Sequence, residues 1–163
     1  MTGVQTCALP ILLNLSNSTW KSGGAVLIDP GARSMITTDC TYLNNFSERK
    51  GGAIDFDCHS ASSADAVNFK LNITDCRFLD NVAKEEGGGV YVYTTSGSTD
   101  FQLSKSTFFN NTGNLGGAVY ANGFDRWVRF TACSFISNLA SGFEPPFDGG
   151  AVWFSGAIGE LSV

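Results

Sequence analysis

With 163 residues, the chain is long enough for one domain and not clearly for two. Hydrophobic residues make up 43% and charged residues 15%, with 19 glycines and 13 phenylalanines, an ordered β-rich composition that excludes a disordered chain. The net charge is -5 and none of the 10 basic residues forms a run, which argues against a nucleic-acid binder. No stretch of about 18 apolar residues is present to span a bilayer.

The first eleven residues, Met1-Thr2-Gly3-Val4-Gln5-Thr6-Cys7-Ala8-Leu9-Pro10-Ile11, share nothing with the rest of the chain. They resemble a translated sequencing adapter read from a GTG start codon. The short apolar run that begins at Ala8 lacks the basic n-region of a signal peptide. Residues 1–11 are therefore expected to lie outside the fold, and Cys7 to carry no biological information. The gene is expected to be truncated on its N-terminal side, with any true targeting signal upstream. Residues 12–163 are read as one repeat array, a truncated fragment of a longer one. Its first coil is incomplete: Asn17 stands at the repeat distance before Gly23-Gly24, but Asn14 occupies the place of an aromatic.

From Met35 onward one phrase recurs, apolar-x-apolar-x-x-[Cys/Ser]-x-aromatic-x-x-Asn. Its copies are Met35, Thr37, Cys40, Tyr42, Asn45; Leu71, Ile73, Cys76, Phe78, Asn81; Phe101, Leu103, Ser106, Phe108, Asn111; and Val128, Phe130, Cys133, Phe135, Asn138. Alternation with period 2 predicts strands with one buried face. The extra residue between the two inward pairs flips the parity, so the chain must turn a corner there to keep both pairs inside.

Each copy leads to a Gly-Gly pair, and the pairs at 23, 51, 87, 116 and 149 are 28, 36, 29 and 33 residues apart. A third short strand comes after each pair: Ala25 to Ile28, Ala53 to Phe56, Gly89 to Val92, Ala118 to Ala121 and Ala151 to Phe154. Three strands per repeat predict a triangular coil. Constant strands with variable connections predict a solenoid whose loops project outward and whose tiers stack at about 4.8 Å. An uncapped edge of such a stack is expected to recruit other strands.

Stacking gives each repeated residue a structural reading. Asn45, Asn81, Asn111 and Asn138 are expected to form an amide ladder at a turn, and Cys40, Cys76 and Cys133, with Ser106 between them, a column of small inward side chains. Tyr42, Phe78, Phe108 and Phe135 form the aromatic column. Cys-x-x-Cys and Cys-His pairings at ligand spacing are absent, so no metal and no cofactor is expected, and the single His59 reads as a loop residue. Asp55 and Asp57 alternate onto one side of a strand, but no second carboxylate cluster accompanies them and no catalytic residue is assigned. If Val26, Ile54, Val90, Val119 and Val152 point inward, then Leu27, Asp55, Tyr91, Tyr120 and Trp153 point outward in one column. Tyr91, Tyr120 and Trp153 would then make an open aromatic stripe suited to stacking on a sugar or a partner surface.

Gly-Gly-Ala-[Ile/Val] and Phe-x-x-Asn, alternating four times in one order over about residues 12–163, resemble the polymorphic outer membrane protein repeat family. Gly89 in place of Ala and Tyr42 in place of Phe are mild departures. The resemblance implies an all-β, right-handed parallel β-helix of the pectin-lyase-like kind, with about four to five coils. It also implies an extracellular, cell-surface or outer-membrane location, as in the passenger regions of autotransported adhesins. The expected function is a surface-exposed or secreted adhesion and display module without catalytic activity, meeting a host or neighbouring cell-surface protein or glycan. The alternatives are a fragment of a carbohydrate-active β-helix enzyme whose site lies in missing coils, and a purely structural stalk.

Overall fold

A computed structural model describes residues 2–6, 22–28, 34–58, 69–94, 99–124, 127–142 and 149–156. Among them every regular element is a strand, and every strand pairing is parallel. The chain winds through four complete coils. The first is β3 (Ser34–Thr38), β4 (Thr41–Leu43), β5 (Phe46–Ser47) and β6 (Ile54–Cys58); the second is β7 (Phe69–Thr74), β8 (Arg77–Leu79), β9 (Val82–Ala83) and β10 (Val90–Thr94). The third is β11 (Thr99–Ser104), β12 (Thr107–Phe109), β13 (Thr112–Gly113) and β14 (Val119–Phe124), and the fourth is β15 (Trp127–Thr131), β16 (Ser134–Ile136), β17 (Leu139–Ala140) and β18 (Val152–Gly156). Two strands, β1 (Thr2–Thr6) and β2 (Val26–Ile28), stand one tier before the first coil.

Equivalent strands of successive coils pair into four sheets. Sheet I runs β1-β3-β7-β11-β15, sheet II β4-β8-β12-β16, sheet III β5-β9-β13-β17, and sheet IV β2-β6-β10-β14-β18. The architecture is a parallel β-helix, with the recurring inward residues as its core: Leu71, Ile73, Phe101, Leu103 and Val128 of sheet I, and Ile54, Phe56, Val90, Val92, Val119 and Ala121 of sheet IV, are all fully buried.

Single residues make the corners. Between sheets I and II stand Asp39, Asp75, Lys105 and Ala132, and between sheets II and III stand Asn44, Asp80, Asn110 and Ser137, all with φ between 48° and 54°. One left-handed residue reverses the inward parity at each corner, which is what the extra residue in the repeat provides. Asp and Asn are tolerated in that region because their short side chains bond locally; Lys105, Ala132 and Ser137 are held there by the stack instead.

At the corner before sheet IV the two glycines have different tasks. Gly51 takes the left-handed turn at φ 60°, whereas Gly52 lets one coil lie against the next: a Cβ there would come within 1.9 Å of the Gly88 carbonyl oxygen.

Two expectations need correction. The coil has four strands rather than three, because a two-residue strand comes after each repeat Asn and forms sheet III. Two residues are too short to show alternation, so the period-2 signal cannot register them. Residues 2–6, expected outside the fold, form β1 against β3 with Thr2 opposite Ser34 and Thr6 opposite Thr38. An open edge offers unpaired backbone donors and acceptors to any extended segment. The pairing thus arises from the edge and does not make residues 2–6 a repeat.

Candidate functional site

The repeated residues are engaged in stacking. Asn45 Nδ2 donates to Asn81 Oδ1 at 2.8 Å, Asn81 Nδ2 to Asn111 Oδ1 at 2.9 Å, and Asn111 Nδ2 to Asn138 Oδ1 at 2.8 Å. Each of these Oδ1 atoms also accepts the backbone N–H of the Asn one coil earlier, at 3.0 to 3.1 Å. The second amide hydrogen of Asn81, Asn111 and Asn138 goes to the carbonyls of Tyr42, Phe78 and Phe108. Asn81 and Asn111 thereby use both donors and accept twice while fully buried, as buried amides require.

The thiol position forms a parallel polar column. Cys40, Cys76 and Cys133 are free thiols whose S–H groups bond the carbonyls of Thr38, Thr74 and Thr131, two residues back, and Ser106 does the same to Ser104 at 2.8 Å. The Cys76 N–H reaches Ser106 Oγ in the next coil at 3.0 Å. Burial holds the thiols of Cys76 and Cys133 above their ordinary range, so they stay protonated and act as corner donors. Next to them the rings of Tyr42, Phe78, Phe108 and Phe135 stack with centroids 4.4 to 5.1 Å apart and planes within 17° of parallel. These three columns close the interior of the coil.

The outward column on sheet IV is in the expected register, Leu27, Asp55, Tyr91, Tyr120 and Trp153 lying opposite one another on successive strands. It is not the open stripe expected of it. Tyr91 is 2% and Tyr120 7% exposed, and only Trp153 is half-open. The rings stack on one another, Tyr91 on Tyr120 at 5.2 Å and 10°, Tyr120 on Trp153 at 4.3 Å and 4°. Strands about 4.8 Å apart bring the rings face to face along the stack. The faces that would receive a sugar are therefore taken up by neighbouring rings.

The side chains of Lys50 and Glu86, the residues before Gly51 and Gly87, come to this column, and sequence reasoning missed them. Lys50 Nζ donates to the Tyr91 hydroxyl at 2.8 Å and lies 4.5 Å from the Tyr91 ring centre and 5.9 Å from that of Tyr93. It is also 3.8 Å from Glu86 Oε2, an ion pair rather than a hydrogen bond. Lys50 and Glu86 share one place in the repeat, and that shared place was the signal available to find them.

Beneath them Asp55 is 2% exposed, with Oδ1 lacking any hydrogen-bond partner. Burial first and the neighbouring Asp57 second push its carboxyl up to about 7, against the opposing effects of a Ser22 hydrogen bond and the Lys50 and Arg49 charges. Burial likewise raises Glu86, Tyr91 and Tyr120. The pair Asp55–Asp57 is thus on one face, as its spacing implies, but Asp55 is buried between Leu27 and Tyr91 of the neighbouring strands.

Elsewhere, a polar groove of about 620 Å³ runs along the first corner, lined by Asp39, Cys40, Asp75, Cys76, Arg77 and Lys105. Among the described residues, four of the five exposed large apolar side chains, Phe46, Phe109, Ile136 and Leu139, lie on sheets II and III, either side of the Asn corner. Among the described residues no group of three or more His, Cys, Asp or Glu is arranged to hold a metal, and no helix is long and apolar enough to cross a membrane. Leu12, Asn14, Asn17 and His59 lie outside the described residues.

Fold and ladders together define the class: a parallel β-helix assembled from a tandem repeat whose motif residues are internal. Residues 105–122, from the corner before Ser106 to Asn122 on β14, match the family model of the Chlamydia polymorphic membrane protein (Chlamydia_PMP) repeat. This stretch spans one copy of the Ser106-x-Phe108-x-x-Asn111 phrase and the Gly116-Gly117-Ala118-Val119 that comes after it, so the repeat of this chain is similar to the repeat of that family. No curated protein and no solved structure gives a significant match to the chain.

Proposed function

We propose that the chain is an adhesion and display module of the cell surface, without catalytic activity, that meets a protein on a host or neighbouring cell. The observation that carries this reading is the division between inward and outward positions. Inward, the Asn, thiol and aromatic positions repeat from coil to coil and engage one another. Outward, the equivalent positions vary along the stack, running Leu27, Asp55, Tyr91, Tyr120 and Trp153, with Tyr91 and Tyr120 alone alike. A rigid scaffold whose outer face changes along the stack suits recognition rather than one reaction.

A protein partner is favoured over a glycan by two features. The ring faces of the aromatic column are covered by one another, and the exposed large side chains are aliphatic or single phenyl groups. The enzyme reading draws little support from Asp55, since a general acid must reach its substrate.

The test is binding of the full chain, displayed on an inert bead, to cultured cells. Saturable binding that is lost when target cells are treated with protease and retained after glycosidase is the expected result. Binding lost with glycosidase alone favours the glycan. Absence of saturable binding by folded protein leaves a stalk, and release of new reducing ends from a polysaccharide panel makes the chain an enzyme.

A further inference from the structure

Asp55 is the one Asp or Glu residue among the described residues that is buried as a whole, and its setting differs from that of the ladder amides and corner thiols of the coil. Its neighbours in the column are Leu27 on β2 and Tyr91 on β10, and neither supplies a partner to Oδ1. The groups that face it are few. Its own strand gives Asp57, the segment before β2 gives the Ser22 hydroxyl, and the turn before β6 gives Arg49 and Lys50. From β10 come Tyr91 and Tyr93, and from the turn before β10 comes Glu86, which holds Lys50 on the far side.

We infer that Asp55 is a proton-operated latch: neutral, it lets the outer column of the first coil close beneath Lys50, and ionised, it opens that face. A buried carboxylate without a full set of donors and beside another carboxylate is unfavourable. Lys50 is a flexible cation whose charge acts on Asp55, but its ammonium is engaged by the Tyr91 hydroxyl and the Glu86 carboxylate. When the Asp55 proton leaves to solvent, the carboxylate either draws Lys50 away from Tyr91 or turns outward into water, and either movement uncovers the Asp55–Tyr91 contact.

The direction in pH is set by the carboxyl lying near 7 in the folded chain against an ordinary 3.8. The folded state holds this proton more tightly than the unfolded state does. Its stabilising effect is therefore complete below 3.8 and is lost as pH rises through about 7, so the latch is closed in acid and open above neutrality. This inference stands apart from the adhesion reading and is tested without any binding partner.

The experiment tracks the Asp55 carboxyl by carbon NMR from about pH 5 to about pH 9 in the full chain, with amide exchange of β6 and β14 measured in parallel and corrected for intrinsic rates. The expected result is a midpoint near neutrality, with β6 protection falling about tenfold or more relative to β14 across it. Asp55→Asn should hold β6 protected at both ends of the range. Lys50→Met keeps the test open should that variant not fold: without the ammonium that favours the carboxylate, the midpoint should move up. A midpoint in the ordinary carboxylate range overturns the latch, and so does a neutral midpoint with constant protection.

Discussion

The Asn corner and the outer column of sheet IV are built on the same plan, one side chain per coil at strand spacing, yet they treat buried polar groups differently. At the corner the same amide stands in every tier, so the oxygen of one coil meets the donors of the coil before it and the ladder closes on itself. In the outer column the group changes from Leu27 to Asp55 to Tyr91, and Asp55 Oδ1 is left without a partner. Translation symmetry can satisfy a buried polar atom only if the next tier supplies the complementary atom at the same place. A solenoid thus keeps its internal motif uniform, whereas an outer position that departs from its neighbours can leave a polar atom unpartnered, as at Asp55 Oδ1.

The largest effect should come from the feature on which both regions depend, close approach of successive coils. A Cβ on Gly88 would lie 2.1 Å from the Gly117 carbonyl oxygen and 2.5 Å from the backbone of Thr112. Gly88→Ala is expected to cost more than about 4 kcal/mol, read as loss of the cooperative urea transition, because backbone atoms on two sides cannot give way. A second comparison sets the two regions against each other. Asn81→Leu removes the acceptor for the N–H and side-chain amide of Asn45, and the donor to the Tyr42 carbonyl, all in the core. It should cost roughly 3 kcal/mol. Asp55→Leu, measured at about pH 8, removes a buried carboxylate and should leave stability unchanged or raised. If the two variants reverse in order, the contrast between a satisfied and an unsatisfied column is lost.

Most of the scaffold was legible from spacing. The parity change between Thr37 and Cys40 implied a corner, and Asp39 makes it with φ 54°. The recurrence of Asn45, Asn81, Asn111 and Asn138 implied a ladder because identical amides in register can bond to one another. Sheet III was not legible, since Phe46–Ser47 and its equivalents are two residues long and carry no period. The state of the aromatic column was legible only in part. Alternation places Tyr91 and Tyr120 on the outer side of the strand, but outward is not the same as exposed. The closure depends on Lys50 and on ring-to-ring stacking across coils, which a one-dimensional pattern does not contain.

A smaller effect tests whether a departure from uniformity inside the core is compensated locally. Tyr42 stands where the other coils have Phe78, Phe108 and Phe135, and it brings a hydroxyl into the interior. It lies 2.8 Å from Thr37 Oγ1, and Thr37 occupies the place of Ile73, Leu103 and Phe130 in the later coils. Both residues are fully buried, so the two polar substitutions satisfy each other in the coil where both occur. Tyr42→Phe and Thr37→Val should each cost about 1 kcal/mol by taking this hydrogen bond from the other hydroxyl, whereas the double variant should return to within about 0.5 kcal/mol of the parent. The coupling energy from denaturant unfolding of the four proteins decides the point. Additive losses would mean that the pair is not a unit and that each hydroxyl finds another partner, such as the Cys76 sulfur 3.8 Å from Thr37 Oγ1.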